Sequence, residues 1–133
     1  MSYYFSTAVA GDFDTVVTAV ETALASEGFG ILTEIDVKAT LKKKLDVDFH
    51  PYKILGACSP PFAYQALLAE DKIGTMLPCN VIVQQVKDNE IEVAAIDPVA
   101  SMQAIENPEL GELAETVRAK LKSVIDAVAS TGQ

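Results

Sequence analysis

Two β-rich runs, Cys79 to Lys87 and Glu90 to Ile96, are separated only by Asp88 and Asn89, and no other feature of the chain narrows its fold so far. Two residues can close an antiparallel hairpin but not a parallel crossover, which takes about a dozen or more. Asp and Asn also tolerate the positive φ of a tight turn. The runs are therefore expected to pair antiparallel. Further on, Asn107 and Pro108 form a cap and first-position pair, followed by Leu110, Leu113, Val117, Leu121, Val124 and Val128 at steps of three and four. That spacing predicts a long amphipathic helix. Glu109, Glu112 and Glu115 come early in it, and Arg118, Lys120 and Lys122 come late, the order that complements the helix dipole. A hairpin followed by a long one-sided helix points to an α+β domain.

The upstream segments fit that class. Tyr3 to Ala8 reads as a strand closed by Gly11 and Asp12. A helix follows, capped by Asp12, with Phe13, Val16, Val17, Val20 and Leu24 at helical spacing, and Glu27-Gly28 marks its end. Phe29 to Asp36 suits a second strand. Next comes a short helix with Val37, Leu41 and Leu45 as an apolar stripe and Lys38, Lys42, Lys43 and Lys44 as its wet face. Tyr52 to Cys58 is a third strand, bounded by Pro51 and by Pro60-Pro61, since proline cannot donate within a ladder. Pro61 opens a helix that turns either Phe62, Ala66 and Ala69 or Ala63 and Leu67 inward. The expected architecture is a mainly antiparallel sheet with helices on one face.

At 133 residues the chain is expected to be one domain, residues 1 to 133, with a single core. Half of its residues are apolar, a globular composition. Its longest uncharged run, Ile54 to Ala69, contains Ser59, Pro60, Pro61 and Gln65 and falls short of the roughly 20 apolar residues of a spanning helix, so no membrane association is expected. The start, MSYYFSTAVAGDFD, lacks the pattern of a secretory or transit signal, and the expected location is cytoplasmic. A formal charge of −9 opposes nucleic acid and anionic lipid alike. Four of the ten basic residues nevertheless lie in the 38–44 segment, which leaves a partner or anion site there as a minority reading.

Cys58 and Cys79 are 21 residues apart, which matches neither a CxxC redox motif nor a zinc pattern, and with His50 they are too few for a complete single-chain zinc site. Each stands beside proline, at a strand end or strand start, where a rigid backbone could hold a thiol in place. Cysteine is equally at home as a small buried hydrophobe. If the strands bearing them are antiparallel neighbours, the sulfurs share one sheet edge; if a helix between them makes a parallel crossover, they lie at opposite ends. Both topologies remain open. Asn80, next to Cys79, could donate an amide hydrogen bond to a ligand or cap a turn. His50, the only histidine, precedes Pro51 and reads as a loop residue ahead of a catalytic base, while Glu34 and Asp36 share one strand parity and read first as water-facing. Walker, GxGxxG, HExxH and EF-hand patterns are absent.

With GFGILTEIDVKATLKKKL, YKILGACSPPFAYQAL, IGTMLPCNVIV and a late Asp97-Pro98 in that order, the chain resembles the bacterial and archaeal "domain of unknown function 302" family over nearly its whole length. One departure is Ser59, where the family's motif usually has Asn after the cysteine. The resemblance implies a fold similar to the TATA-binding-protein class, in β-α-β4-α order with extra short helices, and it implies homodimers. It brings no reaction, and the cofactor, if the chain uses one, is left unknown. The functional expectation is a thiol-dependent or small-ligand-binding protein in which Cys58 and Cys79 act as sulfur donors or redox-active thiols and Asn80 is a polar neighbour. A depressed thiol pKa is the expected signature. The alternative is a non-catalytic structural or protein-interaction module whose cysteines belong to the core.

Overall fold

Side-chain caps start several of the helices and so divide the chain. In the computed structural model, which describes residues 2–131, the elements run β1 (Tyr4–Ala10), α1 (Phe13–Ser26), β2 (Gly30–Asp36), α2 (Val37–Leu45), β3 (Tyr52–Cys58) and α3 (Pro60–Ala69). A 3-10 segment (Asp71–Met76) leads to β4 (Cys79–Lys87), β5 (Glu90–Ile96), α4 (Pro98–Ser101) and α5 (Pro108–Thr131). Asp12 accepts from the Thr15 amide at 3.1 Å to open α1, and Asp36 accepts from that of Ala39 at 2.9 Å to open α2. Asn107 caps α5 through the Glu109 amide at 3.1 Å, and its own amide group donates to the Ala69 carbonyl at 2.7 Å. That second bond ties the start of α5 to the end of α3.

The five strands form one wholly antiparallel sheet in the order β1-β5-β4-β3-β2. The β4–β5 hairpin forms as its two-residue spacing requires, with one adjustment: only Asn89 takes a positive φ, of 60°, and the ladder steps over Val86 between Gln85 and Lys87. A bulge beside the turn supplies the twist that a second left-handed residue would have given. A second irregularity, between Ile31 and Thr33 of β2, drops Leu32 from the ladder and leaves it exposed.

Strand alternation divides the sheet into two faces. Val9, Leu55, Ala57, Val81, Val83, Ile91, Val93 and Ala95 point to one face, where Val17, Val20 and Leu24 of α1 and Leu121, Val124 and Val128 of α5 seal them into the main core. Each of the larger side chains enclosed here gains about 1.5–3 kcal/mol over an exposed position. The steps of three and four along α5 are thereby accounted for. A smaller cluster, built on Ala66, Ile73 and Leu110, joins α3, the 3-10 segment and the start of α5. Ala66 is buried and Leu67 is exposed, which selects the first of the two inward faces available to α3.

The short helix α2 departs from expectation. It forms between its caps, Asp36 and Asp46, but none of its residues is buried, and Leu45 is 66% exposed. The stripe of Val37, Leu41 and Leu45 is present in the helix, but Val37 and Leu41 are only half-buried and Leu45 is left open. Glu34 and Asp36 also part company: Glu34 pairs with Lys53 at 3.0 Å, which raises the Lys53 pKa, while Asp36 serves as a cap.

Candidate functional site

Whether the two cysteines meet depends on how β3 and β4 are joined. The chain between them, α3 and the 3-10 segment, returns to the same end of the sheet, so β3 and β4 are antiparallel neighbours in a register that pairs Ala57 with Cys79. Cys58 therefore stands one residue past the partner of Cys79. Both cysteines line a cavity of about 40 Å³, together with Phe62 and Ala66 from α3, Met102, and Val117 from α5. Of the two topologies open from sequence, the one that gathers the cysteines is the one realised.

The local sequence explains the shape of this end. Pro60 and Pro61 occupy the first turn of α3, where the missing N–H groups cost nothing, and the Ser59 carbonyl accepts from the Ala63 amide at 2.9 Å. The chain thus turns sharply from Cys58 into a helix that roofs the cavity. On the facing strand, Pro78 follows a cis peptide bond and leads directly into Cys79. Gly56 allows the close packing: a Cβ there would collide with the Thr33 side chain and would stand 2.8 Å from the Pro78 ring.

The walls are almost entirely apolar, which sets the chemistry. Burial, and secondarily the neighbouring Cys58, push the Cys79 thiol up to about 11 from an ordinary 9.0. At neutral pH Cys79 is a protonated thiol and a weak hydrogen-bond donor, the reverse of the lowered pKa expected of an activated sulfur. A water molecule would find few partners among these walls, whereas a small apolar group would lose nothing on entering. Among the described residues no three His, Cys, Asp or Glu side chains gather closely enough to hold a metal ion.

Asn80 is not part of this cavity. Strand alternation turns it to the opposite face from Cys79, and the two residues share only a shallow depression at the end of the sheet, beside Pro78 and Ile96. Asp97 is structural: its carboxylate accepts from the Val99 amide at 3.0 Å to cap α4 and from Arg118 Nε at 3.2 Å. The Arg118 guanidinium lies 5.2 Å from the centre of the Phe5 ring. The Asp97-Pro98 motif thus anchors α5 to the sheet through a charge-assisted bond.

His50 is placed differently from a bare loop histidine. Its Nε2 lies 2.9 Å from Gln84 Oε1, and Gln84 Nε2 donates to Glu92 Oε1 at 2.8 Å. The Phe49 ring stacks on His50 with centroids 4.2 Å apart. Sequence reasoning passed over Gln84, Glu92 and Tyr52 because each reads alone as a water-facing strand residue. Only the register, which sets Gln84 opposite both Tyr52 and Glu92, brings them together.

The model of one family, "Domain of unknown function DUF302", matches residues 5–128. The chain belongs to the DUF302 family. The crystal structure of an uncharacterized conserved DUF302 protein from Bacillus stearothermophilus is similar to it, with a TM-score of 0.88 and 26% identity, over 96% of this chain and 99% of that one. A comparison with curated proteins returned no match. The DUF302 match spans β1 to α5, so both cysteines, Asn80 and Asp97 fall within it.

Proposed function

We propose that this DUF302 protein is a cytoplasmic homodimer that binds a small apolar ligand in the cavity between Cys58 and Cys79, with the cysteines as polarizable walls. One observation carries the reading: two thiols 21 residues apart in sequence line a single apolar cavity. The raised Cys79 pKa favours binding over redox chemistry, because a protonated sulfur is a poor nucleophile. Xenon is a suitable probe of an apolar space of this size. Dissolved xenon is expected to shift the amide resonances of Cys58, Phe62 and Ala66 in a saturable way, and Ala66→Leu, which fills the cavity, should abolish the effect. Unchanged xenon shifts in that variant would defeat the reading.

The homodimer is supported by α2. Its apolar stripe is only half-buried at Val37 and Leu41, is open at Leu45, and continues into the exposed Val47 and Phe49, and a helix of nine residues gains little stability without fuller packing. The helix also carries four of the ten basic residues of a chain with net charge −9, so its lysines complement the acidic surface of a second copy better than that of a basic partner. Sedimentation of Leu45→Lys and of the Lys42, Lys43 and Lys44 charge reversal should show a shift from dimer to monomer. A dimer that persists in both variants would place the interface elsewhere.

A second reading has its own support. Cys79, 9% exposed, packs with the main core, as a cysteine with a purely structural role would in an interaction module. Replacement of both cysteines by alanine separates the two readings: a xenon response that grows as the cavity enlarges, with the fold retained, belongs to the cavity, and an unchanged response belongs to the core.

A further inference from the structure

The face of the sheet opposite α1 and α5 holds a second concavity, remote in kind from the cysteine cavity. Its floor is made by small and aliphatic side chains, Ala94 above all, which is only 8% exposed although it points to the open face. Its walls are Tyr3, Tyr4 and Tyr52, and Glu92 stands among them. The Tyr3 and Tyr4 rings meet edge to face, with centroids 5.0 Å apart. The groove encloses about 390 Å³, enough for a small organic molecule.

The hydrogen bonds around Glu92 give this groove a sign. A carboxylate can only accept, so the Gln84 amide group must turn its NH2 to Glu92 and its oxygen to His50. His50 Nε2 must then carry a proton and donate. The chain runs from His50 through Gln84 to Glu92, and each donor holds the next group in place. Glu92 Oε1 accepts from Gln84, and the residue lines the groove. Tyr52 registers the field, since its phenol is raised by burial and next by Glu92. A fixed negative charge among aromatic faces is the environment that recognises an organic cation, through ion pairing and cation–π attraction together.

We propose that the Tyr3, Tyr4, Tyr52 and Glu92 groove is a binding site for a small organic ammonium ion. Aromatic walls favour an alkylated ammonium over a compact inorganic cation, because they offer π faces where the latter needs several oxygen donors. The site is independent of the cysteine cavity and makes no use of Cys58 or Cys79.

The test is titration of the whole chain with choline, followed by amide and tyrosine resonances. The same titration is run with 3,3-dimethyl-1-butanol, which has the shape of choline without its charge. Choline is expected to shift the groove residues in a saturable way and its neutral counterpart to leave them in place. Glu92→Gln and Tyr52→Leu should each weaken choline binding about tenfold, while replacing both cysteines by alanine leaves it unchanged. Glu92→Gln is near-isosteric and keeps an amide acceptor for Gln84, so loss of binding there reports charge rather than misfolding. Equal response to the two compounds, no response to choline, or full affinity in Glu92→Gln would overturn the proposal.

Discussion

On the helix-covered face of the sheet, Leu55, Val81, Val83 and Val93 are fully enclosed by α1 and α5. On the open face the residues interleaved with them, Tyr52, Ile82, Gln84 and Glu92, form a partly exposed groove held by side-chain hydrogen bonds. The same strands build both. One face derives its shape from packing, where a lost methylene leaves a void; the other derives it from directed polar bonds, where water can replace a lost partner. Stability should therefore reside on the first face and ionic recognition on the second.

The sharpest way to break this contrast is a matched pair of truncations. Leu55→Ala, in the core, should cost about 3 kcal/mol in urea unfolding, and Ile82→Ala, on the open face, about 1 kcal/mol. Equal costs would mean that something covers the open face in solution.

Next in size is the pH dependence carried by Cys79. The folded state holds the thiol proton with a pKa of about 11 against 9.0 for an unperturbed thiol. The resulting stabilisation is fully present below pH 9 and is lost as the pH rises through 11. Over that interval the native protein should lose about 2–3 kcal/mol more than Cys79→Ala does. Identical slopes would show that the thiol is not buried.

Gly56→Ala tests the junction between the faces. The added methyl meets Thr33 and Pro78, so a loss of about 2 kcal/mol in denaturant unfolding is expected. Thr33→Ala should restore only part of it, because the Pro78 ring remains in the way.

The smallest effect belongs to the open face. Glu92→Gln should lower the Tyr52 pKa, followed by the ring carbon resonance of Tyr52 through an alkaline titration. The decrease should be partial, since burial is the larger cause of the raised value and Glu92 the second. Its unfolding free energy should change by less than about 1 kcal/mol.

Much of the architecture was legible because it rests on local signals. The two residues between β4 and β5 left one pairing available, the capping residues Asp12 and Asn107 marked helix starts, and the apolar spacing along α5 named the face that would be buried. The family was legible too, in ordered motifs that span the chain. The 3-10 segment was not: Ile73 is enclosed by α3 and the start of α5, and nothing in DKIGTM by itself announces that packing.

The sequence by itself determined the five strands, the helices other than α4 and the 3-10 segment, and that Cys58 and Cys79 close and open strands, because caps, turns and periodicity act over a few residues. Tertiary structure alone decided that β3 and β4 are neighbours, that both cysteines line one cavity while Asn80 turns away, and that His50, Gln84 and Glu92 join in a chain. The physical reason is strand register. A shift of one residue exchanges the faces of every side chain in a strand, and register is set by how the whole sheet packs against its helices, not by any segment read alone.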